Sequence, residues 1–145
     1  MPQEIRLVRS SFDRLEPRSA QVAELFFDHL FRADPSIAPL FPGDLAEQGQ
    51  RLMQLIGVAV SLLDKPGQLK PVLHKLGDRL ARHGVRDIHY DSAGAALLRT
   101  LAEALGDDFD TETCVAWSDA HGIVSRGLIA AGQPVAAERA AATPS

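Results

Sequence analysis

The sequence has almost no cysteine, because Cys114 is the only one among its 145 residues. A single cysteine excludes an internal disulfide and any metal site built from a cluster of cysteines. Basic runs are also missing, and 15 Lys and Arg against 19 Asp and Glu give a net charge of −4. We therefore expect no binding to nucleic acid or to an anionic membrane surface.

Long apolar runs are missing as well. The longest apolar stretch, from about Leu55 to Leu63, is far shorter than the roughly 20 residues that span a bilayer. The first residues show no secretory signal pattern of positive charge followed by an apolar segment. With no repeat and no linker, the sequence predicts one domain, and we expect it in the cytoplasm.

Strand patterns are absent too, and apolar residues recur at helical spacing of three and four along the chain. Turn and capping residues interrupt this spacing at Pro17, Asp34-Pro35, 42–44, 64–67, Gly84, Gly106 and Asp110. The pattern predicts an all-α fold of about seven to eight helices around one apolar pocket. We expect a domain over residues 1–131 and a frayed, Ala-rich tail over residues 132–145.

A distinctive string of residues occupies the middle of the chain. Its members are Phe41 after Pro39-Leu40, Gln48-Gly49, Leu52-Met53, Leu76-Gly77-Asp78-Arg79, Gly84-Val85, His89-Tyr90 before Gly94, and Trp117 before Gly122. In this order they resemble the globin family over about residues 4–130, specifically bacterial single-domain globins and the haem domain of flavohaemoglobins. The resemblance implies a globin fold, haem b as cofactor and a small diatomic gas as ligand.

The resemblance also implies which side chains line the distal side of the pocket. Phe41 matches the phenylalanine that packs on the porphyrin, and Gln48 matches the polar residue whose amide donates to a ligand on iron. Leu52, four residues on, shares the face of Gln48 and forms an apolar wall. Phe27 stands where flavohaemoglobins usually carry a tyrosine, so we expect no tight oxygen trapping. Without the resemblance, these would be core aromatics and a solvated glutamine.

Two packing expectations accompany these assignments. Gly49 and Ala23 stand where two helices of the family cross closely, and such a crossing needs small residues. Phe26 and Phe31 are assigned to packing in the core.

The proximal side departs from the family pattern. The distal residue and the proximal histidine lie 32 residues apart in the family, which places Leu80 at the ligand position. Leucine cannot coordinate iron. The ordinary explanation is core packing, since Leu69, Leu73, Leu76 and Leu80 form one apolar stripe of a helix.

His83 is the candidate for a substitute iron ligand. It lies seven residues beyond Leu76, so it points roughly inward but about one turn too far along. Ligation would need the helix to slide, or to unwind near Gly84. The alternative is a histidine favoured at a helix C-terminus by the dipole. The other histidines are better explained as surface or core residues: His29, His74, His89 and His121.

Enzyme activity has little support in the sequence. A tyrosine at the spacing of Tyr90 supports the proximal side in flavohaemoglobins together with a glutamate, but counting from His121 places Gly132 at the glutamate position. Tyr90 alone can simply pack. No flavin or nicotinamide motif follows, so any nitric oxide turnover would need a separate reductant.

Two functions stay open at this stage. The first is a haem-binding globin with non-standard or absent proximal ligation that binds a diatomic gas or carries out minor nitric oxide chemistry. The second is a haem-free globin fold that acts as a sensing or partner-binding module. Self-association into a homo-oligomer is left open by the sequence.

Overall fold

The computed structural model describes residues 2–142, and over this range the chain is helical with no strand. The α-helices are α1 (Pro2–Leu15), α2 (Ser19–Ala33), α3 (Leu45–Ser61), α4 (Pro66–Arg82), α5 (Asp87–Leu105) and α6 (Thr111–Ala142). Short 3-10 helices cover Glu16–Arg18, Pro35–Leu40 and Gly106–Asp108. Counting the 3-10 helix Pro35–Leu40, these residues form the seven main helical elements that the spacing predicts.

Most helices begin and end where the polar and glycine signals predict. The carboxylates of Asp34, Asp44 and Asp110 accept hydrogen bonds from backbone N–H groups at the starts of the next helices, at 2.8 to 3.1 Å. Gly84 ends α4 with φ of 95°, and the Val85 N–H bonds to the Leu80 carbonyl at 3.0 Å. That pairing satisfies a carbonyl of the last turn and requires a left-handed residue at position 84.

The packing of the helices sets most of α3 apart from α4, and we take the space between these two helices as the candidate cleft. α2 packs on α3 and α5, whereas α4 packs chiefly on α6. The largest core cluster surrounds Trp117, whose indole N–H donates to the Ser11 hydroxyl at 2.8 Å. A second cluster lies along α2 and a third along α4 and α6. The second and third clusters border the cleft between α3 and α4.

The close crossing of α2 and α3 is confirmed. A Cβ atom added at Gly49 would lie 2.8 Å from the Ala23 Cβ and 3.6 Å from the Phe27 ring. Separations under 3.0 Å force a neighbour to move, and here the neighbour is a rigid methyl group on a packed helix. The absence of a side chain at position 49 therefore sets the distance between these helices.

We expect Gly49→Leu to lower the free energy of unfolding by well over ~2 kcal/mol through overpacking at this crossing. Urea denaturation followed by circular dichroism measures the change. Gly49→Ala paired with Ala23→Gly is the control, because the second change removes the methyl group that the first one meets. A loss below ~0.5 kcal/mol in Gly49→Leu would show that the crossing does not depend on Gly49.

The expected start of a frayed tail at residue 132 needs correction. α6 continues from residue 132 to Ala142, while residues 143–145 lie outside the described range. Val135 is only 2% exposed, and the Arg139 guanidinium donates to the Arg82 carbonyl at the end of α4. Burial against α4 and the high helix propensity of alanine keep this segment helical despite Pro134.

Candidate functional site: a cleft between α3 and α4

Three phenylalanine rings pack together beside the cleft, with Phe27 buried behind the partly exposed Phe31 and Phe41. The Phe27 and Phe41 rings meet edge to face with centroids 5.2 Å apart, and Phe27 stacks on Phe31 at 5.5 Å. Leu52 packs against the same cluster from α3. Phe41, directly after the 3-10 helix Pro35–Leu40, is half-buried and therefore has part of its ring free for a further partner. The cluster also contains Phe26, so the packing assignments of Phe26 and Phe31 are confirmed.

Gln48 lies at the edge of this wall. Its side chain is half-buried, and its amide Nε2 donates to the Pro42 carbonyl at 3.1 Å, next to Phe41. The hydrogen bond holds the amide near Phe41, and the expectation that Gln48 and Phe41 line one cavity stays a prediction. The amide nitrogen carries two hydrogens, so it could donate one to a ligand while the other bonds the Pro42 carbonyl.

The opposite wall is formed by α4 and is apolar. Leu76 packs on the cluster of Leu69, Leu73 and Leu128, and Leu80 is half-buried one turn later. Leu80 offers no donor atom to a metal. Both leucines keep exposed surface although they belong to the apolar stripe of α4.

Tyr90 packs into the cluster behind α4. Burial, aided by the negative charge of Asp87, raises the pKa of the Tyr90 phenol to about 12. The hydroxyl therefore stays protonated at neutral pH, whereas iron ligation by tyrosine would need the phenolate. The His121 Nε2 lies 3.0 Å from the Tyr90 carbonyl and ties α6 to the start of α5.

His83 is the C-cap residue of α4 and is exposed. Its Nδ1 lies 2.8 Å from the Arg79 carbonyl, four residues back. If Nδ1 carries the proton for this bond, Nε2 keeps its lone pair, which is the tautomer that a metal-binding histidine needs. Among the described residues 2–142, no other hydrogen bond or ion pair holds the ring in place.

The remaining histidines have local roles or face solvent. His29 Nε2 lies 2.8 Å from a Glu103 oxygen, and His89 Nδ1 accepts from the Arg86 N–H at 2.9 Å. His74 is exposed on α4. Within residues 2–142, no group of three or more His, Cys, Asp or Glu side chains is arranged to hold a metal ion.

Glycines on α4 and α6 let these two helices lie close together. This packing role was not predicted from the sequence. A Cβ at Gly77 would lie 2.9 Å from the Leu128 Cα and nearer still to its carbonyl oxygen, and a Cβ at Gly127 would lie 2.7 Å from Leu73. Sliding α4 by one turn would bring Leu73 or Ala81 to the place of Gly77, where no side chain fits. Slippage of α4 would therefore collide with the backbone of α6, while unwinding beyond Leu80 would not.

Gly132 takes part in the same contact. A Cβ at Gly132 would lie 3.0 Å from the Ala81 Cβ, so this position faces α4 one residue after Leu80. Position 132, which corresponds to the glutamate of flavohaemoglobins, thus lies against α4 but carries no carboxylate. Tyr90 has no acidic partner from α6 at this place.

The side chains around the cleft offer apolar surface for a flat group but no ligand for iron. Leu55 is 41% exposed and Leu45 is 42% exposed, although both lie on the face of α3 that carries Leu52. α4 packs away on α6 and does not cover them. These exposed side chains could pack on a flat apolar group, whereas position 80 supplies no axial ligand.

The model of the family described as Globin matches residues 24–128 of this sequence. The chain belongs to the globin family. Within residues 2–142, this globin contains no helix that is both long enough and apolar enough to cross a membrane.

Flavohemoproteins are similar to this globin in sequence. The Chromobacterium violaceum protein is 27% identical over 127 residues, which cover 85% of this chain and 31% of the relative. The Xylella fastidiosa (strain Temecula1) protein is 25% identical over 130 residues, 88% of this chain and 32% of the relative. The globin described here thus spans about a third of the length of the curated relatives it matches.

Two solved structures share the fold. A bacterial globin from Campylobacter jejuni has a TM-score of 0.83 at 21% identity and covers 93% of this chain and 98% of its own. An engineered carbene transferase from Rhodothermus marinus has a TM-score of 0.84 at 24% identity and covers 97% and 98%. These likenesses confirm the all-α globin architecture.

Proposed function

We propose that this globin binds haem b in the cleft between α3 and α4 and takes up a small diatomic gas there, with a non-standard or absent protein ligand on the proximal side. The observation that carries the proposal is the exposed apolar surface of both cleft walls, above all Leu55 at 41%. Burying such surface under a flat apolar group is favourable by about 25 cal/mol per Å². Membership of the globin family supports the same choice of cofactor.

Residues on both sides of the cleft would contact the cofactor. Phe27, Phe41 and Leu52 would contact one face, and Leu76 and Leu80 would contact the other. A bound haem supplies an iron that takes a diatomic gas. The Gln48 amide has a second N–H beside the one that bonds the Pro42 carbonyl, and this N–H would stabilise a polar gas ligand by a hydrogen bond.

The proximal ligand would be either His83 or no side chain of the protein. His83 reaches inward only if the last turn of α4 unwinds, because the contact of Gly77 with Leu128 opposes sliding. Leucine at position 80 and glycine at position 132 supply neither the usual ligand nor an acid that would strengthen a ligand's electron donation. We therefore propose gas binding, with at most minor nitric oxide chemistry, in a cytoplasmic setting.

The second candidate function is a haem-free sensing or partner-binding module. Leu80 favours it, since it continues the apolar stripe of α4 and removes the usual iron ligand. In this case the cleft walls would close on each other or take another apolar partner.

Haem titration of the purified chain separates the two functions. We expect a sharp Soret band that saturates at one haem per chain, because the cleft offers one apolar slot. No Soret band, or a broad one without saturation, would favour the haem-free module. The experiment needs no assumption about the gas.

The same titration assigns the ligand. If His83 binds the iron, His83→Ala removes the spectrum of a nitrogen-ligated ferrous haem, whereas His74→Ala, which changes an exposed histidine of the same helix, leaves it intact. An unchanged spectrum in His83→Ala would establish binding without a histidine ligand from this turn.

A further inference from the structure

One side of α6 is exposed along much of its length. At 3.6 residues per turn, Val115, Asp119, Ile123, Arg126 and Ala130 fall within an arc of about 80°, and all five are exposed. α6 packs on α1, α4 and α5 through its other sides. The described residues 2–142 therefore leave this arc, the outer face of α6, open to solvent.

The middle of the outer face is apolar and has little bulk. Val115 is 47% exposed, and Ile123, two turns further along, is 46% exposed. Gly122 adds no side chain next to Ile123. Among the described residues, a Cβ atom at Gly122 would meet only the guanidinium end of Arg126, whose Nη1 would be 3.2 Å away. The far end of an arginine moves easily, so another helix can approach here as closely as small residues allow at a crossing.

The outer face carries two opposite charges at equal distances from this middle. Asp119 precedes Gly122 by three residues, and Arg126 follows Ile123 by three. The two positions lie about 10 Å apart along the helix axis. No ion pair joins the two side chains, and within residues 2–142 Arg126 has no acidic partner. Its positive charge is therefore available to another molecule.

Asp119 has a second carboxyl group beside it and not a cation. The Glu4 side chain of α1 shares a hydrogen bond with Asp119, and this bond, together with desolvation and the negative charge of Asp119, raises the pKa of the Glu4 carboxyl above its ordinary value. Two carboxyl groups in contact repel each other when both are ionised. A cation brought by another molecule would relieve the repulsion within this acidic pair.

A second copy of this chain supplies partners for all of these groups. When two α6 helices lie antiparallel with a two-fold axis between Gly122 and Ile123, residues at equal distances on opposite sides of the axis face each other. Arg126 of each copy then meets the acidic pair of the other copy. Val115 meets Ala130 of the other copy, since each lies seven residues from the middle. A parallel arrangement would instead place like charges opposite each other.

We infer that the outer face of α6 is the interface of a homodimer, in which α6 of one copy packs antiparallel on α6 of a second copy. Each acidic pair receives an arginine, and Val115 and Ile123 lose contact with water. One helix face on each side is smaller than the ~800 Å² per partner of a typical stable interface, so the dimer dissociates on dilution. None of these residues lies in the cleft or on the side of α6 that faces α4, so the inference is independent of the proposed function.

Sedimentation equilibrium of the purified chain, over about 10 μM to 1 mM, measures the association. We expect the weight-average mass to rise from that of one chain toward that of two. No larger species should form, because a two-fold interface is closed. A chain that stays monomeric at the highest concentration, or that grows beyond two copies, overturns the inference.

Charge reversal tests the pairing. Asp119→Arg and Arg126→Asp should each weaken the dimer at least about tenfold, because the symmetry replaces two attractive contacts by two repulsive ones. An equimolar mixture of the two variants should associate as tightly as the parent chain, since arginine on one copy then faces aspartate on the other at both places. Arg32→Asp, at an exposed arginine of α2, is the control and should leave the dimer unchanged. A mixture that stays monomeric overturns the proposed pairing.

The central isoleucine provides a second test. Ile123→Asp would bring two like charges together at the two-fold axis and should abolish the dimer, whereas Ile88→Asp, at an exposed isoleucine of α5, should leave it unchanged. Circular dichroism should show the helicity of the parent chain in both, because each side chain is already exposed. Equal effects of the two changes on association would overturn the inference. Haem titration of Ile123→Asp should match that of the parent, so a failure of haem binding and a failure of dimerisation are distinguishable.

Discussion

Leu80→His is expected to tighten haem binding by at least about tenfold, equivalent to about 1.4 kcal/mol. The new imidazole would stand on the cleft side of α4, one turn beyond Leu76, where the family places its ligand. The ferrous spectrum should become that of a five-coordinate histidine haem that binds carbon monoxide. Without haem, the variant should lose roughly 1–3 kcal/mol of stability, because a half-buried leucine is replaced by a polar ring.

Leu76→His is the matched control for this change. Leu76 is also half-buried on the apolar stripe of α4, but it lies one turn before the ligand position. It should lose similar stability and gain no haem affinity. If Leu80→His binds haem no better than the parent and only loses stability, the cleft is closed to haem and the haem-free module becomes the better hypothesis.

Gly77→Ala is expected to lower the free energy of unfolding by about 3 kcal/mol. The added methyl group would lie 2.9 Å from the Leu128 Cα and also 2.9 Å from the Ala131 Cβ. The backbone of α6 cannot move aside as a flexible side chain would, so α4 must shift away from α6 and the packing of Leu73 is lost. Chemical denaturation gives the change in stability, and haem titration shows whether the proximal wall has moved.

Gly67→Ala is the control on the same helix. A Cβ at Gly67 would have no neighbour within 4 Å, and its backbone is helical. Alanine there should stabilise the chain by roughly 0.5 kcal/mol, because the unfolded state loses conformational freedom. Similar losses in both variants would show that the effect at Gly77 is one of helix propensity and not of helix packing.

The local signals were sufficient for most helix boundaries. Asp34, Asp44 and Asp110 hydrogen-bond backbone N–H groups within three residues, and Gly84 adopts a left-handed conformation at the end of α4. Capping depends on neighbours in the sequence, so it can be predicted without knowing the fold. The resemblance to globins also predicted that Gly49 contacts Ala23 of another helix.

Local sequence patterns did not predict where the last helix ends. Gly132, Pro134 and the many alanines predicted fraying from residue 132, but Val135 is buried and the helix continues to Ala142. Whether such a segment is helical depends on whether another helix lies beside it, and that is not a local property.

The sequence by itself determined the all-α class, the positions of the helices and the identity of the residue at position 80, because these follow from apolar period, caps and register. Only the tertiary structure decided how closely α4 lies on α6, since that distance depends on the pairing of Gly77 with Leu128 and of Gly132 with Ala81, residues about 50 positions apart. The same packing decided that Leu55 stays exposed in an open cleft and that α4 cannot slide to bring His83 to the place of Leu80. Side-chain spacing fixes which residues share a face, whereas packing between distant segments fixes what each face meets.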